Sequence, residues 1–198
     1  MFAMKTGGRR RVWPIVVAGV AVVLLAIGFS VFKPWLLFVD VRVDEQIPTV
    51  AASPETAQPS PSASLNAPSP PAAAPTRQAP AGPVQVAVGS LISHEHTTTG
   101  TVRILRQPNG DRVLTLENLD TSNGPDVHVW LSAADVVEGT GGWFVAGGAE
   151  YFDLGLIKGN QGNQVYAIPA GVDLKKYKSV DLWCVQFSVS FGAAQLTF

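Results

Sequence analysis

His94, His96, His128 and Cys184 are the side chains of this sequence best suited to holding a soft metal or passing an electron. A thiolate and two imidazoles drawn from separate strands are the core of a copper electron-transfer site, which usually adds a weak axial Met. No Met follows position 4, so an axial amide or carbonyl would have to replace it, and the four residues stand as metal candidates. Each also has a plain alternative. His94-x-His96 suits a solvent-facing loop before Thr97-Thr98-Thr99-Gly100, and His128 an outward position on a strand between Val127 and Val129. Cys184 lies in Trp183-Cys184-Val185-Gln186-Phe187-Ser188-Val189-Ser190-Phe191-Gly192. As one extended strand, this run puts Trp183, Val185, Phe187, Val189 and Phe191 on one face and Leu182, Cys184 and Gln186 on the other. There Cys184 is either a packed small hydrophobe, since free Cys is among the most buried residue types, or a redox thiol or metal ligand. A single cysteine makes no intramolecular disulfide.

Other chemistries lack their residues. No Gly-x-Ser-x-Gly elbow, Cys-x-x-Cys couple or His-Glu-x-x-His zinc motif occurs. The glycines of Gly155 to Gly162 lack the Lys-Ser/Thr pair of a phosphate loop. The charge is uneven: residues 1–46 carry six Lys/Arg against three Asp/Glu, and residues 86–198 carry seven against eleven. No basic stripe with interleaved aromatics appears in the acidic half, which argues against a nucleic-acid partner.

The elements that must position these residues follow from patterning. Residues 1–11 form a basic N-terminus. Residues 12–32 carry no charge and supply about the twenty apolar residues of a membrane-spanning helix, longer than the roughly 7 to 15 of a cleavable signal. An uncleaved signal-anchor is therefore expected. Arg9, Arg10 and Arg11 keep the N-terminus cytoplasmic and the rest outside the cell membrane. Residues 33–46 form a juxtamembrane segment in which Leu36 to Val43 alternates weakly, as a short strand or an interfacial stretch. Residues 47–83 are Pro, Ala, Ser and Thr with almost no charge. They read as a disordered linker whose polyproline-like extension would reach on the order of 100 Å.

Residues 84–198 show short apolar runs divided by turn residues, predicting an all-β antiparallel sandwich. The expected strands are 84–91, 100–106, 112–118, 126–131, 151–156, 164–168, 179–187 and one near 193–198. Asn109-Gly110 supplies a hairpin turn between the second and third.

Three stretches together resemble the DM13 domain: Gly124-Pro125-Asp126-Val127-His128-Val129-Trp130-Leu131-Ser132, Gly159 to Pro169, and Ser179 to Phe187 followed by Phe191-Gly192. The resemblance spans roughly Val86 to Phe198. It implies an extracellular β-sandwich with an electron-transfer role through its cysteine, Cys184, and it marks His96 and Asp126 as candidate neighbours. Membrane-anchored members of this appearance are similar to actinobacterial cell-envelope proteins. The expected function is thus a cell-surface redox or electron-transfer domain with an unidentified protein partner. The competing reading is a non-catalytic envelope interaction module in which Cys184 is structural. The sequence assigns no cofactor, leaving a metal or a haem open.

Overall fold

The computed structural model describes residues 12–49 and 82–198. The chain runs from helix α1 (Val12–Phe32) through a short 3-10 turn (Pro34–Phe38) into β1 (Arg42–Asp44). After the undescribed stretch come β2 (Val84–Ser93), β3 (Thr99–Arg106), β4 (Arg112–Asp120), β5 (Val127–Ser132), β6 (Tyr151–Leu156), β7 (Gln161–Ile168), β8 (Ser179–Cys184) and β9 (Val189–Gln195). The described fold is mostly β, with one long apolar helix.

All nine strands join in one sheet in the order β1-β7-β4-β3-β2-β9-β8-β5-β6. Within residues 84–198 every strand pair is antiparallel, as expected, but the strands run on in one curled sheet instead of the two sheets of the expected sandwich, and β1 makes that sheet mixed by pairing parallel with β7. Strand β2 makes it continuous: residues 84–90 pair with β3, and residues 91–93 pair with β9. A side chain at Gly89 would place its Cβ 2.3 Å from the carbonyl oxygen of Gln195, so the close approach at this crossing needs glycine. The sheet curls over one apolar core, in which Val102, Ile104, Leu114 and Leu116 from one half meet Val129, Leu131, Val180 and Leu182 from the other.

The expected strand 179–187 ends early. Val185 to Ser188 form a turn, with Ser188 at φ 53°, and the chain returns as β9 antiparallel to β8. The single aromatic face expected of this run is therefore divided. Trp183 lies outside the main core, Val189 and Phe191 lie within it, and Val185 and Phe187 are exposed. Between β3 and β4 the hairpin closes as expected, although only Gly110 of the Asn-Gly pair takes positive φ, at 90°.

Residues 42–44, expected to belong to the membrane flank, form an edge strand parallel to β7, pairing Arg42 with Gln161 and Asp44 with Asn163. Glu45 fastens it: its carboxylate accepts from Lys158 Nζ at 2.7 and 2.8 Å and from the backbone N–H of Val165 at 2.6 Å. Lys158 and Val165 thereby hold the Glu45 carboxyl below its usual pKa. The linker expected over 47–83 falls almost wholly outside the described residues, as does the basic cluster of residues 1–11. Both flanks of that stretch nevertheless belong to the same sheet. The nine residues between Phe32 and Arg42, which include the 3-10 turn Pro34–Phe38, connect α1 to β1.

Candidate functional site

Strand β8 is buried along its whole length, and its alternation sends Val180, Leu182 and Cys184 into the core and Ser179, Asp181 and Trp183 to the opposite face. That second face is covered by the connection between β5 and β6. Gly142 and Ala146 of this connection are buried, and a Cβ at Gly147 would stand 2.6 Å from the Trp183 ring. Two chemically distinct layers thus lie on either side of one strand.

On the inner side, Cys184 is 0 % exposed and sits opposite Val127 and Val189. Burial pushes its thiol pKa up, while the backbone N–H groups of Phe187 and Gln186 draw it part of the way back. Asp126 is beside it through the main chain, its carbonyl accepting from Val185 N–H at 2.9 Å. The Asp126 carboxylate itself turns to His128 Nε2 at 3.1 Å, and His128 Nδ1 meets Asp153 at 2.8 Å. Burial disfavours the His128 charge, but the hydrogen bonds to Asp153 and Asp126 outweigh it and raise its pKa. His96 lies against the Phe191 ring, centroids 3.9 Å apart, and pairs with Glu95 at 2.6 Å. Burial lowers its pKa against the pull of Glu95. The structure therefore joins Asp126 to Cys184 by backbone and to His128 by side chain. No hydrogen bond links His96 to either among the described residues.

His94 belongs to a different group. Its Nδ1 is 2.7 Å from Ser190 Oγ and its Nε2 is 3.1 Å from the Val137 carbonyl oxygen. Ser190 Oγ is in turn 2.9 Å from Asp181 Oδ2. Asp181 is 3 % exposed, and burial raises its pKa to about 7 against the Ser190 hydrogen bond. Burial also lowers the pKa of His94. Ser190 Oγ donates to Asp181 Oδ2 and meets His94 Nδ1 on its other side, and Nε2–H donates to the Val137 carbonyl; burial pushes both Asp181 and His94 toward their uncharged forms. Moving one proton from Asp181 through Ser190 to His94 turns this chain into an ion pair with the same number of protons. Separating charge inside the fold opposes that step.

Trp130 pairs with Asp181 across β5 and β8. Its ring stacks on Trp183 at 5.1 Å and 21°, and on Tyr151 at 3.6 Å and 6°. Trp130 and Trp183 are buried, and Tyr151 is 46 % exposed.

The four metal candidates are thus dispersed. His94 is held by Ser190 and Val137, His96 by Glu95 and Phe191, His128 by two carboxylates, and Cys184 is enclosed in the core. Among the described residues no three His, Cys, Asp or Glu side chains gather so as to hold a metal ion. Sequence reasoning missed Asp181, Ser190, Trp130 and Tyr151. The one available signal was an acidic residue inside the apolar run Val180-Asp181-Leu182-Trp183, which needs a polar partner when both faces are covered.

Comparison with known families matches residues 90–196 to the model described as Electron transfer DM13. That range holds Cys184, the Asp181 chain and the aromatic stack. No curated protein matches, and no solved structure matches.

Proposed function

The chain belongs to the electron transfer DM13 family, and from that premise we propose that it is a single-pass membrane protein whose β domain carries electrons outside the cell membrane, with Cys184 as its redox group. The family match is the observation that carries this reading. Helix α1 supports the anchor, being long and apolar enough to cross a membrane, and the basic residues before it support a cytoplasmic N-terminus. Cys184 supports the redox assignment as the one cysteine within the matched range. Its burial suits traffic in single electrons, which need no contact with a reagent, and opposes exchange with a second thiol, which needs access. Asp126 and His96 are the proposed neighbours, and the electron partner is a protein or redox carrier of the envelope.

A second reading is favoured by the same burial: an interaction module in which Cys184 is only a packed side chain. Unfolding curves and redox titrations of the wild type and Cys184→Ala separate the two. Under the first reading Cys184→Ala stays folded and loses the redox signal. Under the second, the wild type has no such signal, and Cys184→Ser is destabilised by about 1 to 3 kcal/mol through its buried hydroxyl.

A further inference from the structure

Tyr151, Trp130 and Trp183 form a continuous ladder across β6, β5 and β8, near-parallel at each step. One end is open to solvent and the other is the chain neighbour of Cys184. Stacking alone stabilises such pairs by a modest amount and does not require that the ladder reach the surface. Three features suit it to a second task. Indole and phenol rings can lose one electron and regain it. Gly147 lies flat against Trp183 and Ala146 packs with the two indoles, which keeps water from the inner rings. Trp130 Nε1 has no hydrogen-bond partner among the described residues, so no hydrogen bond competes for its proton when the ring gives up an electron.

We propose that Tyr151, Trp130 and Trp183 are a relay carrying single electrons from the interior beside Cys184 to a one-electron oxidant at the Tyr151 edge. This rests on the electron-transfer reading above and supplies its route. The oxidant takes one electron from Tyr151, which releases its phenolic proton to water. Trp130 then reduces the tyrosyl radical, which regains a proton from water, and Trp183 reduces the Trp130 radical cation. Under the reading above, the Cys184 thiol refills Trp183, becoming a thiyl radical and passing its proton to the Asp126 carboxylate, whose charge acts on the thiol. The net change is one electron gained by the oxidant and one electron and one proton lost by the thiol, with all three rings restored. Because aromatic side chains are hard to oxidise, the partner belongs to the class of high-potential oxidants: a high-valent metal centre or an oxygen-derived radical.

The test uses the full chain in detergent, with a photo-oxidisable ruthenium polypyridyl complex attached through Glu150→Cys, an exposed position beside Tyr151. Attachment through Asp111→Cys, at the exposed β3–β4 hairpin, is the control. Flash oxidation in the presence of a soluble quencher should yield a tryptophanyl radical, seen by transient absorption, from the first site and far less from the second. Trp130→Phe should remove most of that yield. Tyr151→Phe, which keeps the exposed ring but not the phenol, should slow tryptophan oxidation several-fold and serves if Trp130→Phe fails to fold. Equal yields from both sites, or an unchanged rate in Tyr151→Phe, would overturn the relay. Adding Cys184→Ala tests the cysteine separately. A longer-lived tryptophanyl radical supports the thiol as donor, whereas an unchanged lifetime removes Cys184 from the function and leaves the relay standing.

Discussion

Replacing Asp181 by Asn tests the uncharged Asp181–Ser190–His94 chain. Burial lifts the Asp181 pKa from 3.8 to about 7, a gap of about three units, and each unit is about 1.4 kcal/mol. Ionising this carboxyl in the fold therefore costs on the order of 4 kcal/mol relative to ionising it in the unfolded chain. The sign follows from proton counts. Between about pH 4 and pH 7 the unfolded chain has released the proton that the folded protein still holds, so stability falls as pH rises through this window and levels off above it. Below the window both states are protonated and the contribution vanishes. Asn keeps the shape and a hydrogen bond to Ser190 without a titrating group. Urea unfolding across pH should show the two proteins similar near pH 4 and Asp181→Asn more stable by up to about 4 kcal/mol near pH 8. Parallel profiles would refute the argument. A wild type that gains on the variant as pH rises would mean that the chain is ionised, with His94 carrying the charge.

The three histidines should titrate in a set order by NMR, His128 above the ordinary value and His94 and His96 below it; His128 titrating lowest would disprove the roles assigned to Asp126 and Asp153. Because its folded pKa is raised, His128 contributes stability that is fully present below about pH 6.5 and is lost as pH rises through the folded value, so His128→Gln should differ from the wild type chiefly on the acid side. A chain beginning at Val39 should be more stable than one beginning at Gly82, which lacks β1 and Glu45 and leaves the β7 edge open to pairing between molecules; equal stability and solubility would show that β1 adds nothing. Protease added to intact cells should remove the β domain, and protection until lysis would reverse the proposed orientation.

How much the chain discloses by itself depends on the range of the interactions involved. The apolar span 12–32, the β texture beyond residue 84 and the family resemblance are written in local composition and pattern, because helix and strand periodicity and turn chemistry act over a few residues. Tyr151–Leu156 was bounded correctly on those grounds alone. The end of β8 was not: Trp183 to Phe191 has no break in β-forming residues strong enough to show that the chain turns at Val185–Ser188, and the turn depends on β9 pairing back along β8. The weak alternation of Leu36 to Val43 leaves a short strand open, but nothing local chooses it over an interfacial stretch or names its partner, since β7 lies more than a hundred residues away. The candidate site divides in the same way. Cys184 and the histidines are legible as residue types with known chemistry. Their separation from one another, the joining of His94 to Asp181 through Ser190, and the alignment of Tyr151, Trp130 and Trp183 arise from the register of β5, β6, β8 and β9. Register is a cooperative choice of the whole sheet, in which a shift by one residue would send every one of these side chains to the other face.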